Sequence, residues 1–367
     1  MKKVLFLIHD LGHGGAEKVL VNLVNNMDPK QFDIHVTVLF GGGVNEQFLK
    51  PHIHFRSVFP KAFPGNSHVM KLFSPALLHK WFVKECYDIE VSYLEGPSVR
   101  IVSGCPNPDT KLIAWIHCTM HSPQEVAIGF RNINESGECY DRMDAMVFVA
   151  ETVCKAFLQQ HAYGGRVVVK YNTNESSKII QMAAENVQLP GVGLHWCGIG
   201  KLVENKGFDR MLRIQKRLVE DGYPVHFCAL GEGPMRDELW TWCKENGIAD
   251  SVTFLGYQKN PYKYVSKCDF YVCASHAEGF STAATEALIV GTPVVTTLVS
   301  GMKELLGEND EWGIVTENDE EALYQGIKRL LDDPELLAHY REKAAERGKI
   351  FSTENTVKAV EEMLLSL

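Results

Sequence analysis

The sequence predicts an α/β protein with two doubly wound, Rossmann-like domains, each built on a parallel sheet. Short continuous apolar runs, typical of strands buried on both faces of such a sheet, alternate with helical patterns. The alternation stops at a polar stretch, residues 172–190, and starts again at residue 193. A chain of 367 residues is long enough for two domains that each bury a core of their own.

The first domain, predicted over residues 1–171, opens with a βαβ pattern. An apolar run at residues 4–8 is followed by the glycine-rich residues 12–15, a helical pattern over residues 16–26 and a second strand at residues 34–39. Further strand-like runs lie at residues 89–93, 112–116, 146–149 and 167–169. Helical patterns lie between most of these runs, which is typical of a doubly wound domain.

The second domain is predicted over residues 193–350, after a linker with a short helix at residues 172–192. Helical patterns at residues 208–221 and 234–246 separate some of its strands, and residues 351–367 are predicted to form a last, amphipathic helix. The candidate strands of this domain are residues 194–197, 226–230, 252–254, 269–274, 293–296 and 313–315.

Composition and charge are those of a globular protein that does not bind nucleic acid. Charged residues make up 23% of the chain and hydrophobic residues 45%. Residues 1–170 hold 17 Lys and Arg against 16 Asp and Glu, whereas residues 171–367 hold 20 against 30. An acidic second half argues against nucleic acid as the main partner, because neutralising phosphates needs a basic face.

Ten cysteines are scattered along the chain without a C-x-x-C pair. This distribution predicts free thiols in a reducing compartment and argues against a zinc site built from them. A signal peptide is not predicted, because only five apolar residues separate Lys3 from His9. No run approaches the roughly 18 apolar residues of a membrane-spanning helix. We therefore expect a cytoplasmic protein, at most peripheral on the inner face of the cell membrane.

Residues 278–286 place two carboxylates eight positions apart around a Gly-Phe-Ser-Thr turn. Glu278 is expected at the carboxyl end of a buried strand, and Glu286 about two turns into the following helix. Backbone N–H groups of the turn would favour a phosphate, with one carboxylate near a sugar and the other near a ribose. This arrangement suits a nucleotide-diphosphate sugar. The turn residues expected to bind it are Gly279, Phe280, Ser281 and Thr282.

The second half also carries a series of short motifs, at residues 198–209 (GIGKLVENKGFD), 230–234 (LGEGP), 252–256 (VTFLG), 278–286 (EGFSTAATE), 291–295 (GTPVV) and 301–306 (GMKELL). In order and spacing the series resembles the retaining, nucleotide-sugar-dependent glycosyltransferases of family 4, which have the GT-B fold. In the first half, residues 14–17 (GGAE) and 115–117 (WIH) resemble the family less specifically. The resemblance implies two Rossmann-like domains that face a central cleft, and a last helix that crosses back to the first domain.

The resemblance also implies roles for charged residues. Lys201 and Lys206 would neutralise the leaving diphosphate, Glu278 would contact donor-sugar hydroxyls near the anomeric carbon, and Glu286 would accept hydrogen bonds from the ribose. Cations and N–H dipoles placed in advance can stabilise the phosphate charge, so no metal or other cofactor is expected. The family usually has Arg at position 201; lysine keeps the charge but loses the bidentate fork.

Two features of the first half are also candidates for binding the donor. His117 ends an apolar strand where the resembling enzymes often place a histidine near the donor sugar, with His121 as the alternative. A hydrogen bond to a sugar hydroxyl is the expected role of His117, rather than acid–base work. Residues 12–15 do not match G-x-G-x-x-G, which argues against NAD. In the resembling family this loop lies near the donor phosphates, so Gly14 and Gly15 are expected to bind the donor.

Residues 60–84 contain no acidic residue and combine Lys61, Lys71, Lys80 and Lys84 with aromatic and aliphatic side chains. Such a segment is suited to an anionic membrane surface. The alternative is an amphipathic helix whose apolar face packs on its own domain.

The resemblance therefore implies a retaining, metal-independent hexosyltransferase with a nucleotide-diphosphate donor, most commonly a UDP-sugar in that family. The expected acceptor is a hydroxyl of a lipid-linked saccharide or glycolipid in bacterial polysaccharide biosynthesis, capsule included. Two alternatives are a sugar-phosphate synthase or phosphorylase-like enzyme with a soluble acceptor, and a non-catalytic subunit that binds nucleotide sugars.

Overall fold

A computed structural model describes residues 1–12, 14–63 and 65–367 and divides them into two compact units. The first unit comprises Met1–Asn174 together with Thr353–Leu367, and the second comprises Glu175–Ser352. His13, in the predicted glycine-rich loop, and Pro64, in the predicted basic segment, lie outside the described residues.

The first unit contains a seven-stranded parallel sheet. Its strands are β1 (Lys2–Ile8), β2 (Phe32–Phe40), β3 (His54–Phe59), β4 (Ile89–Ser92), β5 (Lys111–Ile116), β6 (Ala145–Phe148) and β7 (Arg166–Val169). In space they run β3-β2-β1-β4-β5-β6-β7, so the strand order reverses between β1 and β4. In doubly wound sheets ligands bind at the carboxyl ends of the strands beside such a reversal.

Helices cover this sheet. They are α1 (Gly15–Asn26), α2 (Asn66–Lys71), α3 (Pro75–Phe82), α4 (Pro97–Val102), α5 (Pro123–Val126), α6 (Ile133–Asp141) and α7 (Glu151–Gln160), with a 3₁₀ helix at Glu46–Phe48. The helical spacing predicted for α1 is confirmed, because Val19, Leu20, Leu23 and Val24 are all buried.

The second unit contains a six-stranded parallel sheet. Its strands are β8 (Leu194–Ile199), β9 (Val225–Leu230), β10 (Val252–Gly256), β11 (Phe270–Cys273), β12 (Val294–Thr297) and β13 (Ile314–Thr316). The spatial order is β10-β9-β8-β11-β12-β13, so the order reverses between β8 and β11. Each candidate strand of the sequence corresponds to one of these six, and the predicted α/β class is confirmed in both units.

Helices also cover the second sheet. They are α8 (Ser176–Ala183), α9 (Phe208–Glu220), α10 (Arg236–Glu245), α11 (Tyr262–Val265), α12 (Thr282–Ile289), α13 (Met302–Leu306), α14 (Glu320–Asp332) and α15 (Pro334–Gly348), with 3₁₀ helices at Glu204–Lys206 and Ala249–Ser251. Buried aromatic rings fill the core between the layers; Trp196 stacks on Phe227 with ring centroids 4.2 Å apart.

The last helix, α16 (Thr353–Leu365), belongs to the first unit although it follows the second in the chain. The backbone N–H of Asp28, just after α1, donates to Glu361 Oε1 at 2.6 Å, and Arg166 Nη2 donates to Ser366 Oγ at 2.9 Å. Val360 and Leu364 are buried. The polar stretch at residues 172–192 contains α8, which is part of the second unit.

Candidate active site

Two loops of the second unit meet at the reversal between β8 and β11. The backbone N–H of His276 donates to the Asn205 carbonyl at 2.8 Å, and Asn205 Nδ2 donates to the Ala277 carbonyl at 3.0 Å. Gly207 has φ +64°, and a Cβ there would lie 2.2 Å from the carbonyl oxygen of Ala274. Only glycine allows this conformation with so close an approach, so Gly207 holds the loops together.

The joined loops place a lysine against a carboxylate. Lys206 Nζ lies 2.5 Å from Glu278 Oε1, and Ser275 Oγ donates to the same oxygen at 2.8 Å. Both charged side chains are half-buried or more, with 30% of Lys206 and 13% of Glu278 exposed. Partial burial strengthens the attraction between the charges. The cation predicted for the diphosphate and the carboxylate predicted for the sugar are therefore neighbours.

The amino end of α12 follows Glu278 by four residues. Ser281 Oγ accepts a hydrogen bond from the Ala284 N–H at 3.3 Å and so caps the helix. The positive end of the helix dipole favours a negative group at this turn, as the sequence predicted. Phe280 is buried, and a Cβ at Gly301 would lie 2.7 Å from its ring. Its side chain therefore anchors the turn, and its backbone is the part that a ligand would meet.

The second carboxylate, Glu286, lies on the buried side of α12. Only 7% of Glu286 is exposed, and its Oε1 accepts a hydrogen bond from the Tyr262 hydroxyl at 3.0 Å. A hydrogen bond to one carboxylate oxygen limits the rotation of the side chain, so this bond orients Glu286. Sequence reasoning missed Tyr262, because no local pattern links α11 to a residue 24 positions later.

The remaining predicted cation, Lys201, lies exposed on the loop after β8, five residues before Lys206. Its side chain makes no ion pair among the residues that the structure describes. The structure therefore brings Lys206, and not Lys201, to Glu278.

A buried arginine that sequence reasoning also missed supports the Glu278 loop. Arg210 Nη2 lies 2.9 Å from His276 Nδ1, and its Nη1 donates to Asn318 Oδ1 at 2.9 Å. Asn318 Nδ2 in turn donates to the His276 carbonyl at 3.1 Å. These bonds fix the backbone two residues before Glu278. A sequence signal existed, because Arg210 directly follows the GIGKLVENKGFD motif.

In the first unit, His117 follows β5, the strand that pairs with β4. Its backbone N–H donates to Glu95 Oε2 at 3.0 Å, and its Nε2 has no hydrogen-bond partner among the described residues. Burial lowers the pKa of His117 to about 4, although Glu95 acts in the opposite direction. The imidazole is therefore neutral near pH 7. The alternative, His121, is exposed.

Two further polar atoms near His117 are buried without a partner in the described part of the chain, Trp115 Nε1 and Thr119 Oγ1. The rings of Trp115 and His117 are stacked with centroids 6.4 Å apart. Buried polar atoms without partners are rare in native proteins and mark places where a water or a ligand binds. Sequence reasoning noted Trp115 only as part of a motif and missed Thr119.

The predicted glycines of the first unit precede α1. A Cβ at Gly14 would lie 2.0 Å from Glu17 Oε2, whereas a Cβ at Gly15 would meet nothing within 4 Å. A Cβ at Gly14 would therefore displace only the end of the Glu17 side chain. Burial raises the pKa of the Glu17 carboxyl above its ordinary value. Gly15 leaves open space beside the backbone. Glu17 is a further polar residue that sequence reasoning did not single out.

Most of the second unit is similar to a known protein family. Residues 196–347 match the family model of glycosyl transferases group 1. An N-acetylgalactosamine-N,N'-diacetylbacillosaminyl-diphospho-undecaprenol 4-alpha-N-acetylgalactosaminyltransferase of Campylobacter jejuni is 29% identical over 96% of both chains. The lipopolysaccharide core biosynthesis glycosyltransferase LpsD of Rhizobium meliloti is also 29% identical, over 98% of this chain and 96% of its own.

Solved structures show the same fold over the whole chain. HepE of Anabaena in complex with UDP superposes with a TM-score of 0.76 at 19% identity, with full coverage of both chains. A sucrose-phosphate synthase of Thermosynechococcus elongatus has a TM-score of 0.78 at 16% identity, covering 100% of this chain and 99% of its own. The chain is therefore similar to the group 1 glycosyl transferases over residues 196–347, and it has the GT-B fold.

The residues that match the family model include the two loops that carry Lys206 and Glu278. Lys206, Glu278 and Glu286 all lie within residues 196–347, as does Tyr262. His117 and the glycines before α1 lie outside that range, in the part that the full-length relatives cover. No helix in the described ranges has the length and apolar character needed to cross a bilayer.

Proposed function

We propose that this protein is a retaining, metal-independent hexosyltransferase. It moves a sugar from a nucleotide-diphosphate donor, a UDP-sugar, to a hydroxyl of a lipid-linked saccharide in bacterial polysaccharide biosynthesis. The second unit binds the donor.

The observation that carries this proposal is the contact between Lys206 and Glu278 beside the amino end of α12. Breaking the bond between sugar and diphosphate builds negative charge on the phosphate and positive charge on the sugar ring. Lys206 and the N–H groups of the turn would stabilise the phosphate, and the Glu278 carboxylate would accept from sugar hydroxyls. The protein thus supplies the positive charge from its own groups, which favours a reaction without a metal.

The partners of Glu278 favour retention by attack from the same face. Its Oε1 accepts from Ser275 and is held by Lys206, so the carboxylate is better placed to orient the sugar than to attack it. In the proposed step the acceptor oxygen bonds to the anomeric carbon as the bond to the diphosphate breaks. The proton of the acceptor hydroxyl passes to the leaving phosphate.

The similar proteins support a UDP-sugar as donor and a lipid-linked saccharide as acceptor. HepE, which shares the fold, was crystallised with UDP, and the Campylobacter relative acts on a saccharide joined to diphospho-undecaprenol. Glu286, buried and oriented by Tyr262, suits the ribose of a nucleotide. The base and the sugar are chosen by contacts worth about 1–3 kcal/mol each.

The exposed side chains of α2, α3 and the residues around them support an acceptor that is presented at an anionic membrane surface. Met70, Leu78 and Phe82 are buried, as the amphipathic alternative requires, but Leu72 is 75% and Trp81 41% exposed. Lys61, Lys80 and Lys84 are exposed in the same segment. Exposed apolar side chains among lysines match the chemistry of an interface with anionic lipid. We propose peripheral contact through residues 60–84, on the cytoplasmic face.

The experiment that tests the function measures nucleotide release from UDP-, GDP- and ADP-sugars, with and without a polyprenyl-diphosphate-linked saccharide as acceptor. Wild type is expected to release UDP from one donor, to do so faster with the acceptor, and to be unaffected by EDTA. NMR of the product should give the same anomeric configuration as the donor. Glu286→Ala is expected to abolish turnover, whereas Lys244→Ala, an exposed lysine of the same unit, should not.

Other outcomes would contradict specific parts of the proposal. An inverted product would exclude retention, and loss of activity with EDTA would exclude metal independence. Transfer to a soluble sugar phosphate but not to the polyprenyl-linked saccharide would favour the sugar-phosphate synthase alternative. Tight nucleotide binding without turnover on any acceptor would favour a non-catalytic subunit.

A further inference from the structure

A cluster of metal-ligating side chains lies at the edge of the first sheet, apart from the candidate active site. Asp33 and His35 are two residues apart on β2, and His54 is the first residue of the edge strand β3. His35 and His54 are register partners, so all three side chains lie on one face of the sheet. They lie toward the amino ends of β2 and β3, whereas His117 follows the carboxyl end of β5.

The three side chains converge on one point. His35 Nε2 lies 3.3 Å from Asp33 Oδ2, and His54 Nε2 lies 3.2 Å from Asp33 Oδ1. The two imidazole rings are stacked, with centroids 4.5 Å apart. One ligand atom from each residue lies within 4.8 Å of the other two.

These separations are longer than those of charge-assisted hydrogen bonds, which are usually about 2.7–2.9 Å. Each distance, one to either oxygen of Asp33, is close to the spacing of two neighbouring ligand atoms around a zinc ion. With zinc–nitrogen and zinc–oxygen distances of about 2.0–2.1 Å, neighbouring ligand atoms are about 3.3 Å apart.

We propose that Asp33, His35 and His54 form a zinc-binding site whose fourth position is open to solvent. Zinc is commonly bound by imidazole nitrogens and carboxylate oxygens, and this site offers two of the former and one of the latter. The side chain of His54 is 63% exposed and that of Asp33 25%, so an ion reaches the site without unfolding of the chain.

The surroundings support one tautomer of His35. The Tyr87 hydroxyl lies 3.5 Å from His35 Nδ1 and can accept a hydrogen bond from it. When the hydroxyl accepts, the proton is on Nδ1 and the Nε2 lone pair is left for the metal, as with outer-shell partners of zinc-bound histidines. A bound zinc ion would join the edge strand β3 to β2. The site is independent of the proposed transfer reaction and takes no part in it.

A second cluster in the same unit, His79, Glu90 and Cys105, differs in kind. All three are buried, and His79 Nε2 lies 2.9 Å from Glu90 Oε2. Burial lowers the pKa of His79, but hydrogen bonds with Cys105 and Glu90 outweigh it and raise the pKa to about 9. A proton therefore occupies this cluster, which we interpret as a buried ion pair.

The test measures Zn²⁺ binding to the full chain by competition with a chromophoric chelator. All samples carry Cys86→Ser, because Cys86 is an exposed thiol next to Tyr87 in the chain. We expect one zinc per chain, with affinity at least about 100-fold weaker in His54→Ala and in Asp33→Asn. His52→Ala, an exposed histidine two residues from His54, is the matched control and should bind zinc as tightly as the parent.

A thermal melt gives a second readout. Zinc in excess should raise the Tm of the parent and of His52→Ala, and leave that of His54→Ala unchanged, because binding to the folded state alone stabilises it. Circular dichroism of His54→Ala checks that the variant is folded, and Asp33→Asn provides the same comparison from a second ligand. Equal zinc affinity in the parent, His54→Ala and Asp33→Asn would overturn the proposal.

Discussion

Lys206 and Glu278 form an ion pair across the line where the strand order of the second sheet reverses, with 2.5 Å between Nζ and Oε1. One residue follows β8 and the other follows β11. Each neutralises the other before a donor arrives. A diphosphate that binds here would compete with Glu278 for the lysine, so substrate binding and the release of the carboxylate toward the sugar would be coupled.

Replacing Lys206 should therefore damage the chemical step more than the binding of donor. In Lys206→Ala we expect kcat to fall about 10²–10³-fold, as when one donor to a transition-state oxyanion is removed, with a smaller change in KM. Steady-state release of nucleotide checks this. Lys244→Ala is the matched lysine control, and an unchanged kcat in Lys206→Ala would refute the proposed role.

The hydroxyl of Tyr262 should contribute to nucleotide affinity through Glu286. Tyr262→Phe removes the 3.0 Å hydrogen bond that orients the carboxylate. We expect UDP to bind about tenfold more weakly, since hydrogen bonds to charged groups contribute about 1.5–3 kcal/mol and part of the orientation survives. Isothermal titration calorimetry measures the change. Tyr264→Phe, on the same helix, is the control, and equal affinities in both variants would contradict the inference.

His117 should make the stability of the protein fall in mild acid. Its pKa is about 4 when folded and about 6.5 when unfolded, so below pH 6.5 the unfolded chain takes up a proton that the folded chain does not. The stability is fully present above pH 6.5 and is lost progressively as the pH falls toward 4. The full difference is about 3 kcal/mol, to order of magnitude.

The measurement is the free energy of unfolding by urea between pH 7 and pH 4. His117→Gln should lose less stability over this range than wild type. His121→Gln, in which an exposed histidine is replaced, should follow wild type. Parallel curves for wild type and His117→Gln would show that another group causes the acid dependence.

The exposed lysines after α2 should carry the contact with anionic membranes. Lys80→Glu combined with Lys84→Glu should weaken binding to phosphatidylglycerol vesicles at least tenfold, because each lysine near such a surface contributes about 1 kcal/mol. Vesicle co-sedimentation at low and high salt measures this. Lys30→Glu with Lys155→Glu, two exposed lysines elsewhere in the unit, makes the same charge change and should bind as wild type does.

The sequence predicts the buried strands because their apolar runs are local signals. Residues 4–8 lie within β1, and residues 269–274 contain β11. The edge strand β3 has no such signal, because all six of its residues are exposed or half-buried and its sequence, HFRSVF, mixes polar and apolar residues. Sequence reasoning therefore missed β3, and with it the place of His54 beside His35.

The residues of the candidate site are also predictable only where the signal is local in the sequence. Motif spacing singles out Lys206, Glu278 and Glu286, since their chemistry is readable from residue type and from the ends of strands and helices. It does not reveal that Lys206 contacts Glu278, which is 72 positions away. Nor does it reveal that Tyr262 orients Glu286, or that Thr119 Oγ1 is buried without a hydrogen-bond partner among the described residues. Such relationships depend on packing between distant segments, which residue patterns do not encode.

The membership of α16 in the first unit has a consequence for biosynthesis. Residues 175–352 interrupt that unit, so the second unit is a continuous insert in a discontinuous host. During translation the insert can fold as soon as residue 352 has left the ribosome, because domains generally fold as they emerge. The host acquires its last helix only afterwards. Premature termination before Thr353 would therefore leave an intact insert attached to an incomplete host with Val360 and Leu364 missing from its core.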